Sequence, residues 1–119
     1  MTAKSNKPLK VKSKVWLEAG GRAVFGDGKL LWLETIRRTG SLRAAAEKLG
    51  MSYRGLWGRL REMERRLGLP LLHRRAGGRG GGGVALTEDA LALMDRYRRF
   101  RKGINQMVDS RFAKVFGGS

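Results

Sequence analysis

The chain has 119 residues, with 26 Lys plus Arg against 10 Asp plus Glu, a formal net charge of +16. That length predicts a single domain, and a hydrophobic fraction of 41% suffices for a core, which excludes a wholly disordered basic tail. Self-repulsion among so many like charges is best relieved by a polyanion, nucleic acid first and an anionic membrane second.

Cysteine is absent, which excludes disulfides, thiolate metal sites and a cysteine nucleophile. His73 is the only histidine, set in the basic run Leu72-His73-Arg74-Arg75 with no acid nearby in sequence, so a catalytic triad has no natural seat. The ten acids offer neither a paired-carboxylate spacing nor a metal cluster. No enzyme activity, metal or cofactor is expected. No apolar run approaches the ~20 residues that cross a bilayer, and the lysine-rich start is no secretory signal; the expected location is the cytoplasm, in association with the nucleoid.

Residues 1–8 have the composition of a tail. From Leu9 to Leu17 the pattern alternates, with Val11, Ser13, Val15 and Leu17 on one side and Lys10, Lys12, Lys14 and Trp16 on the other, which predicts a strand. Ala19-Gly20-Gly21 supplies a turn and Arg22–Phe25 a return strand, a hairpin over 9–25. Asp27 is the expected N-cap of a helix from Gly28 to Arg38, with Leu30, Leu31, Leu33 and Ile36 as core candidates. Thr39-Gly40 ends it and Ser41 caps a second helix, in which Leu42, Ala45, Ala46 and Leu49 share one face. Gly50 closes that helix and Ser52 caps a third, Tyr53–Leu67, so the pair forms a helix-turn-helix.

In the third helix Leu56, Leu60, Met63 and Leu67 cluster on one face and Arg54, Gly58, Arg61 and Arg65 on the other. A solvated charged face is the usual meaning of arginines on a helix. Glycine inside a helix is about 1 kcal/mol worse than alanine, however, so Gly55 and Gly58 suggest close approach to a ligand surface. Residues 71–86 read as two short strands around Gly77, Gly78, Arg79, Gly80, Gly81, Gly82 and Gly83, a wing or a plain linker; the phosphate-loop pattern GxxxxGK[ST] is absent. Thr87 caps a last helix over 88–114. Its Ala90, Leu93, Tyr97, Phe100, Ile104 and Met107 are spaced as a heptad seam, whose first part can pack within the chain and whose excess length suits a dimer. Residues 116–119 are expected to fray.

The expected fold is mainly α (α+β): a winged helix-turn-helix over 9–116 with an N-terminal β-hairpin and a long C-terminal dimerisation helix. The run from Thr39-Gly40-Ser41-Leu42 through Met51-Ser52-Tyr53-Arg54-Gly55-Leu56-Trp57, with the Gly77–Gly83 stretch before Val84-Ala85-Leu86-Thr87, resembles the N-terminal DNA-binding domain of ModE-type molybdate-responsive transcription regulators. Leu60 to Leu72, with Glu64, Leu67-Gly68 and Pro70-Leu71, is similar to the related domain of LysR-type regulators. The resemblance implies a homodimeric, sequence-specific regulator of transcription with double-stranded DNA as partner. Longer relatives continue into molybdate-binding domains, so a chain ending at 119 is not expected to sense molybdate by their usual route. Leu56 and Gly58 depart from the small and acidic residues that the family carries there.

On that reading Ser52, Tyr53 and Arg54 meet base edges, Arg54 and Arg61 bind guanine, and Arg65 and Trp57 belong to the same surface. Ser41 and Ser52 suit phosphates, the glycine wing follows the backbone, and Arg79 enters a minor groove. Leu93, Tyr97, Phe100, Ile104 and Met107 form the dimer seam. The rival readings are an architectural protein that coats DNA without sequence preference, and a DNA-binding subunit that docks a separate effector-sensing protein.

Overall fold

The computed structural model describes residues 7–74 and 83–117. The elements run β1 (Trp16–Ala19), β2 (Arg22–Gly26), α1 (Asp27–Thr39), α2 (Leu42–Leu49), α3 (Tyr53–Leu67), β3 (Leu72–Arg74), β4 (Val84–Leu86) and α4 (Glu88–Phe112). A π-helical turn, Ala113–Gly117, prolongs α4 through Phe116, whose ring stacks on Phe112 with centroids 5.3 Å apart.

The N-terminal hairpin is shorter than its alternating pattern. Only Trp16–Ala19 pairs with β2, across a two-residue turn in which Gly20 and Gly21 both take positive φ, as the tight right-twisted hairpin requires. Burial from Lys10 to Glu18 still alternates residue by residue. The inward side of residues 11–15 lies on α4, however, not on a second strand: Arg101 donates to the Ser13 hydroxyl and carbonyl at 2.8 and 2.6 Å, and the Tyr97 hydroxyl donates to the Val15 carbonyl at 3.3 Å. In β2 one extra residue, Val24, opposes no partner, a bulge that lets Val24 and Phe25 both face inward.

Asp27 does not cap α1. Gly26 occupies the cap position without a side-chain bond, because the Asp27 carboxylate accepts the Tyr97 hydroxyl at 2.6 Å and the Arg101 guanidinium at 3.2 Å. Along α1, Leu33 and Ile36 are fully buried, whereas Leu31 is 49% exposed: two residues from Leu33 it points some 200° away from it. Thr35 is buried in its place, its hydroxyl donating to the Leu31 carbonyl at 2.8 Å.

The core gathers Phe25, Leu33, Ile36, Ala45, Leu56, Leu60, Met63, Leu71, Met94 and Tyr97 from every helix and both hairpins. The fully buried Ala45 lets α2 pack closely against its neighbours. Tyr97 is 1% exposed and meets Phe25 edge-on with centroids 5.2 Å apart, so it belongs to its own chain's core and is closed to a dimer partner. Leu93 packs against the same core. Farther along α4 the seam opens to solvent, with Phe100 47% and Met107 63% exposed.

Burial, then the hydrogen bond to Asp27, pushes the Tyr97 phenol up to about 12. The Tyr97 hydrogen bond, aided by Arg101, holds the Asp27 carboxyl below its usual range against the effect of burial. A raised folded-state value means the tyrosine's contribution to stability is complete below pH 10 and fades as pH climbs towards 12. Asp27 has the opposite sign, contributing above the ordinary carboxylate range and losing its contribution as pH falls through it. An absorbance titration at 295 nm should show one tyrosine ionising near pH 12, and Tyr97→Phe should remove that step.

Candidate nucleic-acid interface

Among the described residues the starts of α1 to α4 fall into two groups. The first turns of α1 and α4 carry Asp27 and Glu88 with Asp89, the acids that complement a helix dipole. The first turns of α2 and α3 carry no acid; Arg43 and Arg54 stand there instead. A cation at a helix N-terminus opposes the dipole, so these two positions are unfavourable until an anion arrives. Both starts belong to the helix-turn-helix.

Local chemistry builds this pair. Ser41 Oγ accepts the Ala44 N–H at 3.1 Å and Ser52 Oγ accepts the Gly55 N–H at 2.9 Å, so each serine caps its helix and keeps its hydroxyl proton to donate. Between them Gly50 takes the left-handed conformation, and the Met51 N–H reaches back to the Ala46 carbonyl at 2.9 Å. A depression of about 560 Å³ lined by Ser41, Arg43, Glu47, Met51 and Tyr53 lies between the two helix starts.

The two internal glycines of α3 have different reasons. A Cβ at position 55 would sit 2.8 Å from Ser52 Oγ, so Gly55 protects the cap and is not explained by a ligand. At position 58 a Cβ would meet nothing within 4 Å, which leaves an open gap on the arginine face.

Aromatic rings order the arginines around that gap. The Arg43 guanidinium lies 4.7 Å from the Tyr53 ring centroid, and Arg61 and Arg74 lie 5.1 and 5.7 Å from that of Trp57. Arg54 is exposed and makes no hydrogen bond, ion pair or ring contact among the described residues. Arg65 pairs with Glu62, which also takes Arg66 at 2.8 Å, so Arg65 is less available than Arg54. Glu64 faces Arg61 at 3.5 Å and accepts the backbone N–H groups of Leu71 and Leu72 at 2.8 and 3.3 Å, docking the wing's first strand onto α3.

The wing's stem is an antiparallel pair, Leu72↔Leu86 to Arg74↔Val84, tied to the turn after α1 by the Val84 N–H on the Gly40 carbonyl at 3.1 Å. Thr87 caps α4 by accepting the Ala90 N–H and donates to the Pro70 carbonyl. Gly83 leads into β4, while Gly77, Gly78, Arg79, Gly80, Gly81 and Gly82 lie outside the described residues. Arg43 and Arg74 were not among the residues expected at this surface. The absent acid at the start of α2 is a sequence signal for Arg43, but the Arg74–Trp57 contact spans two elements and has none.

His73 is exposed on β3 opposite Ala85. Among the described residues no three His, Cys, Asp or Glu side chains cluster as metal ligands, and no helix is long and apolar enough to cross a membrane.

The profile of the bacterial regulatory helix-turn-helix proteins of the lysR family matches residues 28–91, from α1 through the helix pair and the wing into α4. The chain belongs to the LysR family. Among curated relatives it is 34% identical over 96 residues to the molybdenum-pterin-binding protein MopB of Rhodobacter capsulatus, covering 81% of this chain and 35% of that protein. It is 30% identical over 109 residues to the molybdenum transport protein ModE of Azotobacter vinelandii, covering 89% of this chain and 40% of that one. This LysR-family chain thus spans little more than a third of these relatives' length. Its fold matches the CbnR DNA-binding domain, solved in complex with DNA, with a TM-score of 0.56 at 24% identity over 74% of this chain and 95% of that one. The LysR family is one of regulators, in line with the non-catalytic reading.

Proposed function

We infer that this chain is a sequence-selective DNA-binding regulator of transcription that works in the cytoplasm as a homodimer on the nucleoid. The observation that carries this reading is the pair of helix starts at Arg43 and Arg54, both cationic against their own dipoles and both on the helix-turn-helix. A duplex supplies the missing anions: phosphates at the Ser41 and Ser52 caps, and base edges before Tyr53 and Arg54 with α3 in the major groove. The gap at Gly58 admits the groove edge, while Trp57 holds Arg61 and Arg74 as paired cations for the flanking backbone. Arg65 extends the same surface, and the roles expected of Arg79 on a minor groove and of the wing glycines on the backbone belong to the same reading. Relatives named transcriptional regulators, and a neighbour solved on its DNA, support it.

The dimer is inferred from α4. Phe100, Ile104 and Met107 continue the seam after Tyr97 has turned into the core, and a helix of 25 residues runs about 38 Å, past the body it packs on. Two recognition helices would then meet half-sites about 34 Å apart or a multiple of that.

Selection from random duplexes, followed by a bandshift at fixed salt, tests the reading. Enrichment of a pseudopalindrome bound at least a hundredfold tighter than random duplex is expected; equal affinity would leave only the architectural role. Sedimentation should give a dimer that Met107→Glu converts to monomer, and a monomeric wild-type chain would overturn the symmetric arrangement.

A further inference from the structure

We propose that the hairpin end of the fold, away from the starts of α2 and α3, is a second nucleic-acid site, one that binds an unpaired strand along the Lys10-Lys12-Lys14 row and stacks a base against Trp16 and Trp32. It goes beyond the duplex-binding reading and does not depend on it.

Three helices measure how far this site lies from the first. Arg66, in the last turn of α3, donates to the Ala23 carbonyl of the hairpin at 3.3 Å, 13 residues or about 20 Å from Tyr53. Asp27 begins α1 beside the hairpin, whereas Gly40, just past its other end, bonds the wing at Val84. Tyr97 holds Val15 some 15 Å along α4 from Thr87 at the wing base. A duplex that meets the starts of α2 and α3 therefore lies about one length of α3, some 20 Å, from the hairpin to which the lysine row leads.

The row is held in place by buried chemistry. Val11, Ser13 and Val15 face α4, and the Arg101 and Tyr97 bonds to Ser13 and Val15 fix the segment at two points. Lys10, Lys12 and Lys14 consequently all face solvent, two residues and about 7 Å apart, and none has a side-chain partner among the described residues. Without an anion, three like charges in register repel one another; a sugar-phosphate chain relieves them at a matching repeat.

At the end of the row lies a cleft of about 370 Å³ lined by Lys14, Trp16, Phe25, Lys29 and Trp32. Trp16 is 50% exposed, its indole N–H donated to Glu18 at 2.9 Å, and Lys29 Nζ sits 5.6 Å from the Trp32 centroid. Asp27 also borders the cleft, but its carboxylate is already bound by Tyr97 and Arg101. A cationic track beside an exposed indole, Trp16, and a half-buried one, Trp32, is the arrangement that binds single strands with little sequence preference, the phosphates on the lysines and a base on the ring. A duplex keeps its bases stacked inside and would leave Trp16 unused. Unpaired DNA and RNA share this chemistry.

Fluorescent dT12 and rU12 titrated into the full-length protein, alone and with duplex already bound, provide the test, and the better ligand of the two identifies the source. Binding alongside the duplex in a ternary complex is expected. In a Trp57→Phe background, where Trp16 and Trp32 are the remaining tryptophans, the oligonucleotide should quench the indole fluorescence. Trp16→Ala should weaken oligonucleotide binding about tenfold. Replacing Lys10, Lys12 and Lys14 together by Gln, at exposed positions that leave the fold intact, should weaken it further and flatten the salt slope by about 2. Duplex affinity should change less than threefold in both. Competition between oligonucleotide and duplex, unchanged oligonucleotide affinity in the lysine variant, or equal capture of a second duplex would overturn the proposal. So would lysine-dependent pelleting with phosphatidylserine vesicles in the absence of oligonucleotide binding.

Discussion

Arg54→Ala should lower affinity for the preferred duplex about tenfold to a hundredfold while leaving thermal stability unchanged or slightly raised. A bidentate arginine–guanine contact contributes roughly 1–3 kcal/mol of discrimination, and each 1.4 kcal/mol is a factor of ten. The stability half of the expectation follows from position. Arg54 is the second residue of α3, beside the positive end of the dipole, and no acid in that turn offsets it. It is exposed and makes no hydrogen bond, ion pair or ring contact among the described residues, so alanine removes a local repulsion and a flexible side chain without opening a cavity. Anisotropy titrations against the preferred and a random duplex at one salt concentration, with melting curves of both proteins, check the two halves together. Loss confined to the preferred duplex assigns Arg54 to base reading. An equal loss on both duplexes would make it a phosphate contact and would favour the architectural role.

The parts of this surface that are legible from sequence are those with local causes. Ser41 and Gly50, and Ser52 and Gly68, bound α2 and α3 at the positions their capping chemistry predicts, because caps bond to amides three or four residues away. The arginine face of α3 follows from helical spacing alone. Periodicity tells which side of a segment is covered, but not by what. Residues 11–15 alternate as a strand would, and they are covered on the expected side by α4, 82 to 88 residues later. Tyr97 fits a heptad position, but Phe25 reaches it first because the bulge at Val24 turns that ring inward. Asp27 leaves its cap for the same neighbourhood, drawn by a tyrosine and an arginine that no local pattern connects to it. The pairing of Arg74 with Arg61 across Trp57 is of this kind, and it joins the wing to the helix it flanks.

The opposite face of α3 should show the inverse behaviour to Arg54. Leu60 is wholly buried between Leu56 and Met63, at the centre of the core that α1, α2, α3 and both hairpins share. Leu60→Ala keeps helix propensity, so the loss is one of packing: about 2–5 kcal/mol from the missing transfer energy and the cavity left behind. For a domain of this size that is a fall in Tm of roughly 10–20 °C, a large share of a total stability of about 5–15 kcal/mol. Leu31→Ala removes the same atoms from a site already 49% exposed, on the solvent side of α1, and should lower Tm by no more than a few degrees. Thermal melts of the two variants side by side therefore measure burial with composition held constant. Below its melting point Leu60→Ala should still bind the preferred duplex within a few-fold of wild type, because none of its atoms reaches the arginine face. If duplex affinity fell in a fully folded Leu60→Ala protein as far as in Arg54→Ala, the core and the contact face would be coupled through the helix itself, and Arg54 could no longer be assigned a separate share of recognition.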